Sequence, residues 1–156
     1  GWSKPKPLNF KTPGWENGSD ISAQGNLYFD SGDIYKIQFS PDNTSAAEIL
    51  PNTVNSDATE LHPCIAPDER FIVFYSSRSG HLGSGGGDLY ISFKDKEGKW
   101  QPAINLGEQF NKGHLSTSFP CLSPDGQYFF FLKLVAVPWR CEVYWVSVGA
   151  LDALKK

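Results

Sequence analysis

Methionine is absent from the sequence, and histidine and cysteine occur three times each. The missing initiator methionine points to a processed or trimmed start. No Cys-x-x-Cys spacing occurs, which disfavours a metal centre, so no metal or cofactor is expected. An odd number of cysteines argues against a disulfide-stapled secreted scaffold. No apolar run approaches the ~20 residues of a membrane span. The first residues, Gly1 to Pro5, lack the apolar core of a signal peptide. A basic stripe is also missing. The 14 basic and 17 acidic residues are interspersed for a net charge of −3, so nucleic acid is not an expected partner. No Ser/His/Asp or Cys/His arrangement marks a nucleophilic enzyme.

What is present is aromatic and repetitive. The 156 residues are 40% apolar and 14% aromatic, enough for one domain with a core. Residues 60–106 hold four short apolar runs between turn signals. His62 to Ala66 is the first, and Pro67-Asp68 turns the chain. Phe71 to Tyr75, Asp88 to Phe93 and Trp100 to Leu106 follow. Four short strands in about 45 residues is the period of a propeller blade. Laying Asp68 on Asp125 puts Pro63-Cys64 on Pro120-Cys121 and Phe71 to Phe74 on Tyr128 to Phe131 without a gap. Laying Asp68 on Gln24 puts Ile65 on Ile21 and Glu60 on Glu16. The third-strand motifs Asp33-Ile34-Tyr35, Asp88-Leu89-Tyr90 and Glu142-Val143-Tyr144 also superpose.

The chain therefore reads as a single all-β propeller domain over 1–156. Blade one spans 16–50, blade two 60–106 and blade three 117–148, with a short helix-like tail over 149–156. Residues 46–50 could form one helical turn, but their place in the repeat favours a strand. Residues 134–138 read as an apolar loop. Blade three lacks a fourth strand. Residues 2–10 resemble the fourth strand of blade two, Trp100 to Leu106, and form a spare outer strand. Three blades cannot close a ring, since propellers have about four to eight. An arc would leave two apolar faces in water. Two chains can close a six-bladed ring with two-fold symmetry, residues 2–10 completing the partner's blade three. Half of a longer six-bladed chain would show the same faces. Cys64 and Cys121 share a repeat position and read as small buried hydrophobes, with a disulfide between blades as the alternative.

The runs from Pro63 to Phe74, Ser76 to Gly80, Gly86 to Ser92 and Leu122 to Phe131 resemble the WD-like repeats of TolB-type β-propellers. That resemblance implies the propeller fold and a periplasmic or secreted setting. It leaves function open, because the family is similar across translocation factors, sugar lyases and peptidase propeller domains.

Candidate residues follow from the repeat. His62 lies on an inner strand by the central channel, as a general base, a ligand-binding residue or a polar lining residue. Its counterparts are Gly18 and Phe119. Glu60 and Arg78 are both replaced in blade three, by Thr117 and Val135, which points to a structural ion pair. Glu16 has no such arginine and is the better channel candidate. Trp139 and Arg140 offer an aromatic-plus-arginine contact site. The glycine-rich loop 79–87 before Asp88 reads as a hairpin connection, with calcium as a weak alternative. Asn43-Thr44-Ser45 is a formal glycosylation sequon. The expected function is non-catalytic binding of a protein or carbohydrate ligand at the channel or loop face, by residues His62, Glu16, Phe119, Trp139 and Arg140, in a homodimer. The alternative is a carbohydrate-active lyase or hydrolase using His62 with Glu16 or Glu60.

Overall fold

The computed structural model describes residues 4–8, 12, 14–40 and 46–155. The chain runs β1 (Ser19–Ile21), β2 (Asn26–Asp30), β3 (Ile34–Gln38), β4 (Glu48–Ile49), β5 (Glu60–Ile65), β6 (Phe71–Ser76), β7 (Asp88–Phe93) and β8 (Ile104–Asn105). It continues through α1 (Glu108–Asn111), β9 (Ser116–Leu122), β10 (Tyr128–Val135), β11 (Arg140–Ser147) and α2 (Gly149–Asp152). The strands form three antiparallel sheets in sequence order, β1 to β4, β5 to β8 and β9 to β11. Among the described residues the third sheet has three strands. The first strand of each sheet lies innermost, with β1 beside β5 and β5 beside β9.

The central sheet is buried on both faces, and its strands read as unbroken apolar runs for that reason. Phe71 and Val73 of β6 point into a core shared with Phe129 and Phe131 of the third sheet. Ile72 and Phe74 point the other way, into a core shared with Tyr28 and Ile34 of the first sheet. Leu151 of α2 is fully buried in the first of these cores, so the tail caps it. Removing a ring such as Phe129 would cost about 3–5 kcal/mol.

Two devices repeat from blade to blade. Each connection between blades carries a buried asparagine that clamps the start of a third strand. The Asn55 amide accepts from Ile34 N (2.8 Å) and donates to Ile34 O (3.1 Å) and Leu50 O (2.9 Å). Asn111 does the same for Leu89 N (3.1 Å) and Leu89 O (3.0 Å) and also donates to Asn105 Oδ1. The second device is a bulge in the inner strand. β5 slips against β6 between Leu61 and Cys64, and β9 slips against β10 between Ser118 and Cys121. At the bulges His62 has φ 52° and Phe119 has φ 51°.

Several expectations are corrected. Residues 134–138 are not a loop: β10 runs to Val135 and β11 begins at Arg140, so only the tip of a long hairpin is unpaired. The fourth strand of blade two shrinks to Ile104–Asn105 with a bridge at Trp100, because Pro102 has no N–H to donate. The connection after it contains α1. Cys121 is exposed rather than buried, since no further blade covers its side of β9; Cys64 is buried, and all three thiols are free. Residues 46–50 do contain a strand, β4. Of the N-terminal stretch, residues 4–8 are exposed and not in a strand, while Trp2 and Phe10 lie outside the described residues, as does the sequon at Asn43.

Both ends of the arc are apolar. On the third sheet Cys121, Phe130 and Trp145 form one row and Leu132 and Val143 the next, all facing away from the central sheet. Val143 is 70% exposed and Trp145 62%. On the first sheet the rows on the far side are Ile21, Leu27, Ile37 and Phe29, Tyr35, Ile49, of which Phe29 and Ile37 are already buried within the chain. Ile49 is 56% exposed, and Ile21 and Phe39 are also exposed.

Candidate functional site

The three inner strands line an open half-channel. At one end it widens into a groove of about 630 Å³, lined among others by Glu16, Asn17, Gly18, His62, Phe119 and Cys121. Ser19, Pro63, Pro120 and Cys121 continue into a second hollow of about 300 Å³ at the other end of the inner strands. The groove opens where β1, β5 and β9 begin and where the second-to-third-strand hairpins turn. Three positions that the repeat makes equivalent, Gly18, His62 and Phe119, thus meet at one mouth.

Backbone strain aims the two side chains. A non-glycine residue at positive φ is uncommon, and the residue before a proline is further restricted. His62 precedes Pro63 and Phe119 precedes Pro120, yet both hold this conformation. Their rings stack with centroids 4.0 Å apart and planes at 25°. Phe119 still leaves 54% of itself exposed.

Asp30 anchors this mouth, and it was missed in the sequence. It is fully buried at the end of β2. Its Oδ2 accepts from Gly18 N (2.9 Å) and His62 N (2.8 Å), and its Oδ1 accepts from Asn17 Nδ2 (3.1 Å). Asp20 adds a second link between blades by accepting from Ile65 N at 2.9 Å. A side chain at Gly18 would meet Asp30 Oδ2 at 2.8 Å and His62 Cα at 2.9 Å, so only glycine fits. The one sequence cue for Asp30 is an acid closing the apolar run Leu27 to Phe29.

Electrostatics at the mouth are one-sided. Burial lowers the His62 imidazole below its ordinary value, with Asp30 pulling partly back, so the ring is neutral at pH 7. Its Nδ1 is buried and has no hydrogen-bond partner. Glu16 is exposed, and a hydrogen bond from the Thr12 hydroxyl holds its carboxyl below the usual range. Among the described residues no hydrogen bond joins Glu16 to His62, so no oriented acid–base pair is formed. Nor does any group of three His, Cys, Asp or Glu among them come together to hold a metal ion.

The other candidates lie elsewhere. Glu60 is fully buried and away from the groove lining. It pairs with Arg78 at 3.1 Å and accepts from the Ser56 and Ser76 hydroxyls, each at 2.7 Å. Asp88, also buried, accepts from Leu82 N, Gly83 N and Asn105 Nδ2, which commits it to the glycine loop's own backbone. Trp139 is 74% exposed at the tip of the β10–β11 hairpin, and Arg140 beside it bonds Glu142 at 2.7 Å. That tip belongs to the same end of the blades as the groove without lining it.

No protein-family model matches the sequence, and no curated protein matches it closely enough to count. Solved structures do. TolB from Acinetobacter baumannii is 16% identical with a TM-score of 0.54, over 86% of this chain and 30% of that one. A protein from Bacteroides uniformis assigned as a 6-phosphogluconolactonase is 16% identical with a TM-score of 0.50, over 86% of this chain and 40% of that one. The chain thus spans less than half the length of either. At such identities the likeness establishes the fold: the class is the β-propeller, and the blades are TolB-like.

Proposed function

We propose that the chain is a non-catalytic binding module that takes its ligand or partner at the mouth of the half-channel and on the hairpin face around it. The observation that carries this reading is the repeated bulge. Two non-glycine residues at equivalent positions stand in a conformation costing about 1–3 kcal/mol each, and both open on the groove. Strain of this kind concentrates at binding sites, where it pre-orders contact groups. Among the described residues the Glu16 carboxylate is bonded to Thr12 and not to His62, which favours binding over the lyase or hydrolase alternative.

A second copy of the chain is the occupant we assign to the open ends of the arc. Blade three's outer face leaves Val143 and Trp145 exposed, blade one's leaves Ile21 and Ile49 exposed, and a two-fold pair buries these against each other, closing six blades. The groove then becomes part of a closed channel.

Backbone NMR of the full chain, titrated with a defined panel of tripeptides and oligosaccharides, tests the binding reading. Shifts concentrated at Gly18, His62 and Phe119 and lost in His62→Ala/Phe119→Ala are expected. A panel in which every responding member shifts residues away from the groove would overturn it. Turnover of an oligosaccharide that disappears in His62→Ala would move the assignment to the enzyme.

A further inference from the structure

We propose that the groove takes an arginine side chain of a protein partner, an assignment that rests on the binding reading and narrows it. The first support is charge. Among the described residues the groove lining holds no lysine or arginine, while Glu16, hydrogen-bonded by the Thr12 hydroxyl, presents a carboxylate without an ion-pair partner at its edge. Beneath Gly18 and His62 lies Asp30, buried, accepting one N–H on Oδ1 and two on Oδ2, with no ion pair among the described residues. Three N–H dipoles spread that charge without cancelling it. Pro63, Pro120 and Phe119 form low-dielectric walls that keep the field in the groove. An acidic ligand would face two carboxylates, with no counter-charge among the described residues of the lining.

The second support is shape, and it is independent of the first. One face of Phe119 is pinned against His62, and the ring remains half exposed toward the groove. A fixed aromatic face next to a carboxylate suits a planar guanidinium, which can stack on the ring while donating to the acid. An ammonium is a compact, strongly hydrated charge and would gain less from one carboxylate and one ring. The neutral imidazole of His62 adds no repulsion.

The test uses the full chain and three tripeptides, Gly-Arg-Gly, its citrulline counterpart and Gly-Glu-Gly, titrated at low salt with backbone NMR as readout. Citrulline keeps the shape of arginine and removes its charge. Gly-Arg-Gly is expected to shift Gly18, His62 and Phe119. The citrulline peptide should bind roughly tenfold more weakly, the equivalent of one lost charge-assisted contact. Glu16→Gln and Phe119→Leu should each weaken the arginine peptide by about three- to tenfold, with spectra that remain folded. Equal affinity for arginine and citrulline, or arginine shifts unchanged in both variants, would overturn the proposal. If Gly-Glu-Gly or a neutral probe shifts the groove while Gly-Arg-Gly does not, the cation assignment falls and the binding site stands. If the three peptides and the wider panel all leave the groove unchanged, both fall.

Discussion

Glu69 stands at a turn position with φ 59°, where the other two blades place Gly25 (φ 78°) and Gly126 (φ 69°). Its carboxylate explains the departure. It bonds Lys94 (2.7 Å), Asn26 (2.6 Å) and Ser22 (2.8 Å), tying blade one to blade two. Burial pushes this carboxyl up, but the bonds from Lys94, Asn26 and Ser22 outweigh it and hold it at about 2. Since the folded value lies below the unfolded one, the stabilisation is full above the unfolded value and is lost as pH falls toward 2. It is on the order of 3 kcal/mol. Urea unfolding from pH 6 to pH 2.5 should show that loss, and Glu69→Gln should flatten this part of the profile. His62 works in the same sense nearer neutrality. Its lowered value means that stability falls as pH drops below 6.5, until the folded imidazole itself protonates. Gly18→Ala pushes a methyl into Asp30 and His62 and should destabilise by about 1–3 kcal/mol in the same assay.

At the scale of elements, the asparagine clamps and the β10–β11 hairpin separate structure from recognition. Asn111→Ala leaves the N–H and C=O of Leu89 without their side-chain partner in a buried setting and should cost about 2–3 kcal/mol. Hydrogen exchange at Leu89 should accelerate accordingly. Trp139→Ser at the exposed hairpin tip should change urea stability by less than about 0.5 kcal/mol. A larger loss would mean that the tip packs on its own chain. The clamps were partly legible: Asn55 and Asn111 sit near the same place in successive connections, but a single asparagine in a polar connection carries no sign of burial. The hairpin length was not legible, because Leu134 to Val137 is as apolar as a strand but runs into Pro138, which reads as a break.

The whole molecule is an arc with two apolar ends, and its assembly is the property most exposed to test. Light scattering over a dilution series should give a dimer for the chain and a monomer for Trp145→Glu, which puts a charge in the middle of the blade-three face. A monomer in both would remove the six-bladed closure while leaving the blades intact. The repeat, the four-run blade, the missing fourth strand of blade three and the Glu60–Arg78 pair were all readable, because each depends on spacing along the chain. The mouth of the half-channel was readable only in part. Equivalence of Gly18, His62 and Phe119 follows from counting, and so does their place on inner strands. That His62 and Phe119 take left-handed backbone and stack, and that the buried acid Asp30 holds Gly18 and His62 together, depends on how neighbouring sheets meet. Contacts between blades join residues far apart in sequence, and the periodicity that reveals each strand contains no record of its neighbour.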